Sequence, residues 1–161
     1  MKLSPEMNIP EIKHFNLRVY ALIINDGHIL LSDEFVHAMK MTKFPGGGLY
    51  FGEGPADCLK REAIEEFGQE IEIVEHYYTT HFFQQALFYE DEQLISIYYL
   101  ARFPEVPRFR ISEKPFDFSE LKNESQSFRW ARIIEISEND LSFPVDRFVF
   151  GMLKSDTKPR Y

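Results

Sequence analysis

Residues 47–69 read GGLYFGEGPADCLKREAIEEFGQ. Gly46, Gly47 and Gly48 form a turn in which the backbone can take conformations that other residues resist. Gly54-Pro55 punctuates the chain again. Proline suits a first helical turn, and Asp57 places negative charge at the helix start. Leu59, Ala63 and Phe67 recur at i, i+4 and i+8, which predicts a helix over 55–67 with these three on its buried stripe. Gly68 is placed to cap its C-terminus. The helix carries Arg61, Glu62, Glu65 and Glu66 within six consecutive positions. Carboxylates three and four apart project from one side and repel by a few tenths of a kcal/mol per pair. Arg61 offsets part of this by pairing with Glu65, and a divalent cation would offset all of it. Clustered carboxylates suit Mg2+ or Mn2+, hard ions that also take substrate phosphates as ligands. On its own, an acidic helix is more often a solvated face than a site. The glycine turn and Glu53 add a flexible backbone and another carboxylate at one end of the helix.

The bulk properties narrow the function further. The chain has 161 residues, enough for one domain with a proper core, and the expectation is a single domain over 1–161. Its 44% hydrophobic and 27% charged residues fit a globular fold rather than disorder. A net charge of -8 provides no basic footprint for nucleic acid. An acidic protein that handles an anionic ligand needs local neutralisation, for which a bound cation is the obvious means. The single cysteine, Cys58, excludes an internal disulfide and suggests a reducing compartment. No apolar run is long enough to span a membrane, and the N-terminus has no signal-peptide core. A cytoplasmic location is therefore expected.

Outward from the central stretch, residues 1–13 are polar and broken by Pro5 and Pro10, an extended arm that could serve a homodimer. Strands are expected at 17–24 and 28–32, joined by a hairpin at Asn25-Asp26-Gly27. Residues 33–43 read as a loop, and Leu49–Phe51 as a short strand. Further strands are expected at 71–83, 95–103 and 128–136. Glu90-Asp91-Glu92 reads as a hairpin tip, and 104–127 as a long loop of functional or mobile character. Pro144 opens a last helix with Val145, Phe148, Val149, Met152 and Leu153 at core spacing, and residues 155–161 are a fraying tail.

The spacing of the central residues resembles the Nudix box, G-x5-E-x7-R-E-U-x-E-E-x-G-U, where U is a bulky aliphatic residue. Gly47, Glu53, Arg61, Glu62, Glu65, Glu66 and Gly68 match its fixed positions. The two aliphatic positions depart, as Ala63 and Gln69. Phe44-Pro45-Gly46-Gly47 resembles the usual lead-in, and Phe128–Ile136 resembles the late strand of the family. The resemblance covers most of the chain. It implies an α/β (α+β) architecture, the Nudix fold, with a mixed curved β-sheet sandwiched between helices and the box as loop–helix–loop. It implies MutT-type hydrolysis of a nucleoside diphosphate derivative: water attacks a phosphorus atom of the pyrophosphate, aided by Mg2+ or Mn2+.

Carried over by position, the resemblance makes Glu62, Glu65 and Glu66 metal ligands, aided by the Gly47 carbonyl. Glu62 is alternatively the base that deprotonates water. Arg61 orients Glu62, and Glu53 braces the box or reaches a metal through water. Glu124 stands where some members carry an additional metal carboxylate, with Glu120 and Glu113 as fallbacks. Phe15, Tyr78 and Phe82, on expected strands, are candidates to hold the base or sugar, although with 16% aromatics each is better suited to the core than to a stacking platform. Gln84 and Gln85 stand where ADP-ribose hydrolases of the family carry a proline, and Tyr89 lies a little late for a dinucleoside polyphosphate mark. Nucleoside triphosphates, ADP-ribose and nucleotide sugars all stay open. The competing reading is a non-catalytic nucleotide sensor on the same fold, against which the complete box argues. An isopentenyl diphosphate-type isomerase would need a cysteine in another context than Cys58.

Overall fold

The computed structural model describes residues 11–156, so most of the expected N-terminal arm and the last five residues of the tail lie outside the described residues. The elements run β1 (His14–Asn25), β2 (His28–Val36), β3 (Met39–Lys43), β4 (Gly46–Gly48), α1 (Pro55–Phe67), β5 (Glu72–Thr79), β6 (Glu92–Arg102), β7 (Ser125–Arg132) and α2 (Pro144–Ser155). The sheet is mixed, in the order β3-β2-β1-β6-β5, with β4 on β1 and β7 on β2. β1 runs parallel to β6 and antiparallel to β2 and β4.

β1 is the spine. Its segment Val19–Ile23 is buried on both faces, as expected of a parallel strand covered on two sides. Val19, Ala21 and Ile23 pack with Leu59, Ala63 and Phe67 of α1. Tyr20 and Leu22 face the opposite way, onto Val145, Val149, Phe150 and Leu153 of α2. A period of two on the strand thus serves two helices with a period of 3.6. Among the described residues no helix is long and apolar enough to cross a membrane.

The expected hairpin forms: Asn25 pairs His28, with Asp26 and Gly27 at φ 47° and 72°. The expected loop at 33–43 does not. β2 continues to Val36 and returns as β3 through a two-residue turn at His37-Ala38, both at positive φ (48° and 61°). The pair signals such a turn only weakly, since that backbone region favours Gly, Asn, Asp and to a degree His, but not Ala. The His37 ring lies 4.6 Å from Phe88 across the fold, a tertiary contact that helps hold the turn. The expected strand at Leu49–Phe51 is also absent. The strand of this region is the glycine triplet itself, paired with Arg18–Tyr20 of β1. The final strand begins at Ser125 and stops at Arg132, rather than running over 128–136.

The long stretch before β7 is irregular yet tied down. Phe109 stacks on Phe67 at 4.6 Å, and Asp33 accepts hydrogen bonds from Arg129 (2.7 Å), Thr42 (2.6 Å) and the Phe116 amide (3.2 Å). Gln69 is part of this anchoring, which accounts for its departure from the aliphatic pattern. Its buried side chain donates to the Val106 carbonyl (3.2 Å) and accepts from the Arg108 amide (2.6 Å). Gln69→Leu, although it restores the usual residue type, is expected to destabilise the fold by about 1–2 kcal/mol, because two backbone groups lose their partners. Urea unfolding measures this; a Leu variant as stable as the parent would contradict the anchoring role.

Candidate active site

Two glycines let the turn approach the helix. Gly46 (φ 144°) lies against the backbone of Val19 and Tyr20, where a side chain would collide. A Cβ on Gly47 would strike the Glu62 carboxylate. After the turn, Glu53 accepts the Tyr50 amide (2.8 Å), and Asp57 accepts the Gly54 amide (3.1 Å) at the start of α1. Gly68 closes the helix in the left-handed conformation, its amide donating to the Ile64 carbonyl.

Arg61 is the hub. Its Nε and Nη2 donate to the two oxygens of Glu53 (3.0 and 2.7 Å). Nη1 donates to Glu62 (2.9 Å) and Glu65 (3.1 Å), and Nη2 also donates to the Gly48 carbonyl (2.9 Å). The guanidinium lies 3.9 Å from the centre of the Tyr50 ring. One planar cation with five donors thus joins the turn, the loop and the helix. Its hydrogen bonds hold the Glu53 carboxyl down to about 2. Cys58 is fully buried behind this hub, and burial pushes its thiol up to about 12, so it is inert.

Glu66 is held differently. Its Oε1 accepts from Gln126 (3.0 Å), while Oε2 is buried without a partner. Burial raises its carboxyl to about 7, against the pull of Lys43 and Gln126. The Gln126 amide also reaches Glu34 (3.0 Å) and Ser32 (3.0 Å). Glu34 in turn pairs with the buried Lys43 (3.0 Å), and Arg18 donates to the Tyr20 hydroxyl (2.7 Å). Among the described residues, no three acidic, histidine or cysteine side chains stand ready-clustered around a point. Arg61 draws Glu62 and Glu65 together, and Glu66 turns towards Gln126. The donor set is still hard oxygen, and the orphaned Glu66 oxygen is the kind of atom that a cation satisfies. The residues therefore fit Mg2+ or Mn2+.

Glu124 lies exposed in the turn before β7, at φ 70°, with its amide bonded to the Phe35 carbonyl. Two residues on, Gln126 is the side chain that meets Glu66. A cavity of about 250 Å3 opens beside this cluster, with Arg18, Glu34 and Lys43 at its edge. Phe15, Tyr78 and Phe82 do not line it. Phe15 is 68% exposed; Tyr78 packs in the core, its hydroxyl bonded to His81 (2.6 Å); and Phe82 rests on Phe148. The ring that does line it is Phe88, with Tyr20, Tyr89, Tyr98 and Phe143. A larger open depression, about 970 Å3, lies around Asn25, Phe103–Pro107 and Trp130 and includes none of the carboxylates of the box. Arg18, Glu34, Lys43 and Gln126 were missed in the sequence. Arg18 and Lys43 do leave a trace, as lone cations beside apolar or glycine-rich runs.

A family model, the NUDIX domain, matches residues 14–149. No curated protein matches the sequence significantly. Solved structures share the fold. The solution structure of the E. coli ORF135 protein superposes with TM-score 0.64 at 20% identity, covering 91% of this chain and 95% of that one. A NUDIX hydrolase from Nitrosomonas europaea gives TM-score 0.65 at 18% identity, covering 92% and 98%. A MutT NUDIX hydrolase from Burkholderia pseudomallei gives TM-score 0.62 at 21% identity, covering 86% and 98%. A matched family model over most of the chain, on a mixed sheet between two helices, has one consequence: the chain belongs to the Nudix family of pyrophosphohydrolases.

Proposed function

We propose that the protein hydrolyses a pyrophosphate bond in a nucleoside diphosphate derivative, with Mg2+ (or Mn2+) as cofactor and water as nucleophile. The observation that carries this reading is the Arg61 hub beside the unsatisfied Glu66 oxygen. Glu62, Glu65 and Glu66 would hold the cation, with the Gly47 carbonyl beside them and Glu124 as a further candidate. A bound divalent cation supplies neutralisation of the pyrophosphate and a more acidic attacking water. Everything else falls to the chain. Arg61 fixes the rotamers of Glu62 and Glu65, so that their carboxylates need little reorganisation. Glu62 lies against Gly47, where it can take the proton of an attacking water. Glu53 braces Arg61 from the loop. Lys43 and Arg18 line the cavity next to Glu34, where they would neutralise phosphate oxygens. The cavity then receives the part of the substrate beyond the pyrophosphate. Its volume and aromatic lining suit a base or sugar better than a second nucleotide.

With added phosphatase, phosphate release from a nucleotide panel is expected with Mg2+ and is abolished by EDTA. Glu65→Gln with Glu66→Gln is expected to lower turnover at least about a hundredfold with the fold intact. Activity that persists in EDTA or in the double variant contradicts the metal assignment. The brace predicts a pH effect of known sign. Glu53 is held well below the ordinary glutamate value by Arg61, so its contribution is fully present above about 4.5 and is lost as the pH falls towards about 2. Thermal melting of the metal-free protein across that window should show wild type converging on Glu53→Gln as the pH drops. Parallel curves would show that the pairing adds nothing to stability.

A further inference from the structure

We infer that Gln126 is a positioning residue for the proposed reaction: its side-chain amide turns Glu66 away from the Arg61 hub and holds it with one carboxylate oxygen free for the cation. The inference rests on the metal reading above and adds to it a residue from outside the box.

The carboxylates of α1 are not held alike. Arg61 bonds Glu62 (2.9 Å) and Glu65 (3.1 Å) from the same helix. The bond on Glu66 comes from across the fold, from Nε2 of Gln126 in β7 at 3.0 Å. It engages Oε1 and leaves Oε2 buried without a partner. A buried carboxylate oxygen without a donor is costly, and native proteins rarely leave one without a reason. Such an oxygen, on a side chain already fixed through its other oxygen, is what a hard cation takes as a ligand.

The sheet puts the amide there. Gln126 pairs directly with Glu34 across the β2–β7 ladder, so the two side chains share one face, and Ser32 lies two residues along β2 on that same face. Nε2 is 3.0 Å from Glu34 Oε1 and from Ser32 Oγ, as it is from Glu66. An amide nitrogen has two hydrogens for these three oxygens. The Ser32 hydroxyl donates its own hydrogen to Glu34 (3.1 Å), and Lys43 covers Glu34 at 3.0 Å. Glu34 therefore has two other donors, which leaves an amide hydrogen for Glu66.

The residue type matters as much as the bond. Glutamine donates without adding charge. A lysine here would pair with Glu66 and compete with a cation for it. A glutamate would set a third carboxylate against Glu34 and Glu66. A leucine would leave Oε1 without its donor and Glu66 without its orientation. Removing a group that orients a metal ligand costs about ten- to a hundredfold in metal affinity.

The test is Mn2+ binding without substrate, with free Mn2+ read by electron paramagnetic resonance. Gln126→Leu should weaken binding at least about tenfold and retain the melting transition of the metal-free protein. In a Glu66→Gln background the same substitution should change the affinity less than about twofold, because Gln126 acts through Glu66. A smaller loss in the wild-type background overturns the inference, and so does an equal loss in both backgrounds, which marks a general loosening of the site. If Gln126→Leu fails to fold, Gln126→Asn, which withdraws the amide by one methylene, takes its place under the same thresholds. Wild-type protein that binds no Mn2+ overturns the metal reading and the inference with it. Full-affinity binding by Gln126→Leu overturns the inference alone and leaves the metal reading standing.

Discussion

The guanidinium of Arg61 is the constraint on which the catalytic geometry depends. Glu53, Glu62, Glu65 and the Gly48 carbonyl all accept from it, and Tyr50 covers one face. Without a cation at that point, three carboxylates from a loop and a helix would repel one another and lose their common orientation. Arginine suits the position better than lysine because its planar fork serves several acceptors in fixed directions. The pairing is only partly shielded from water, so its value lies in positioning more than in stability. The same contacts keep Glu53 ionised, whereas it is burial, against the pull of Arg61, that keeps the Cys58 thiol protonated.

The hub works only because the sheet delivers a backbone to it. β1 pairs with the glycine triplet at Arg18–Tyr20 and with β2 at Ile24-Asn25, so one strand positions both the turn and the β2 hairpin. The close approaches of Gly46 to β1 and of Gly47 to Glu62 leave no room for a side chain. On the other face of β1, Tyr20 and Tyr98 stack at 5.3 Å over the start of α2, and this places Asp146 beside the cavity. Box and cavity are therefore two faces of one strand, with Arg18, Tyr20 and Lys43 between them.

The helix, its caps and the carboxylate spacing were legible because each depends on neighbours within a few residues. The apolar stripe of α1, the Gly68 cap and the Asp26-Gly27 turn are local chemistry. His37-Ala38 was not legible, since Ala38 disfavours positive φ and the turn is held from a distance, by the Phe88 ring and by Asn123, which accepts the His37 amide at 3.0 Å. The cavity was illegible for a related reason. Arg18, Glu34, Lys43 and Asp146 come from four elements and meet only through the fold. Aromatic side chains are divided between the core and the cavity, and residue type does not separate them. Tyr78 sits within reach of Tyr98 and Phe148 as core, while Phe88, from the irregular segment before β6, faces the cavity. Gln69 shows the converse: visible in the sequence as a departure from the family pattern, it is the clasp of the long loop.

The most direct measurement is a crystal structure of the protein soaked in Mn2+, with the ion located by its anomalous signal. The expected result is a peak bonded to Glu66 and to at least one of Glu62 and Glu65, with Arg61 still holding Glu53. Saturating Mn2+ with no peak there, and Glu62 and Glu65 still closed on Arg61, would contradict the claim that this cluster is a cation site.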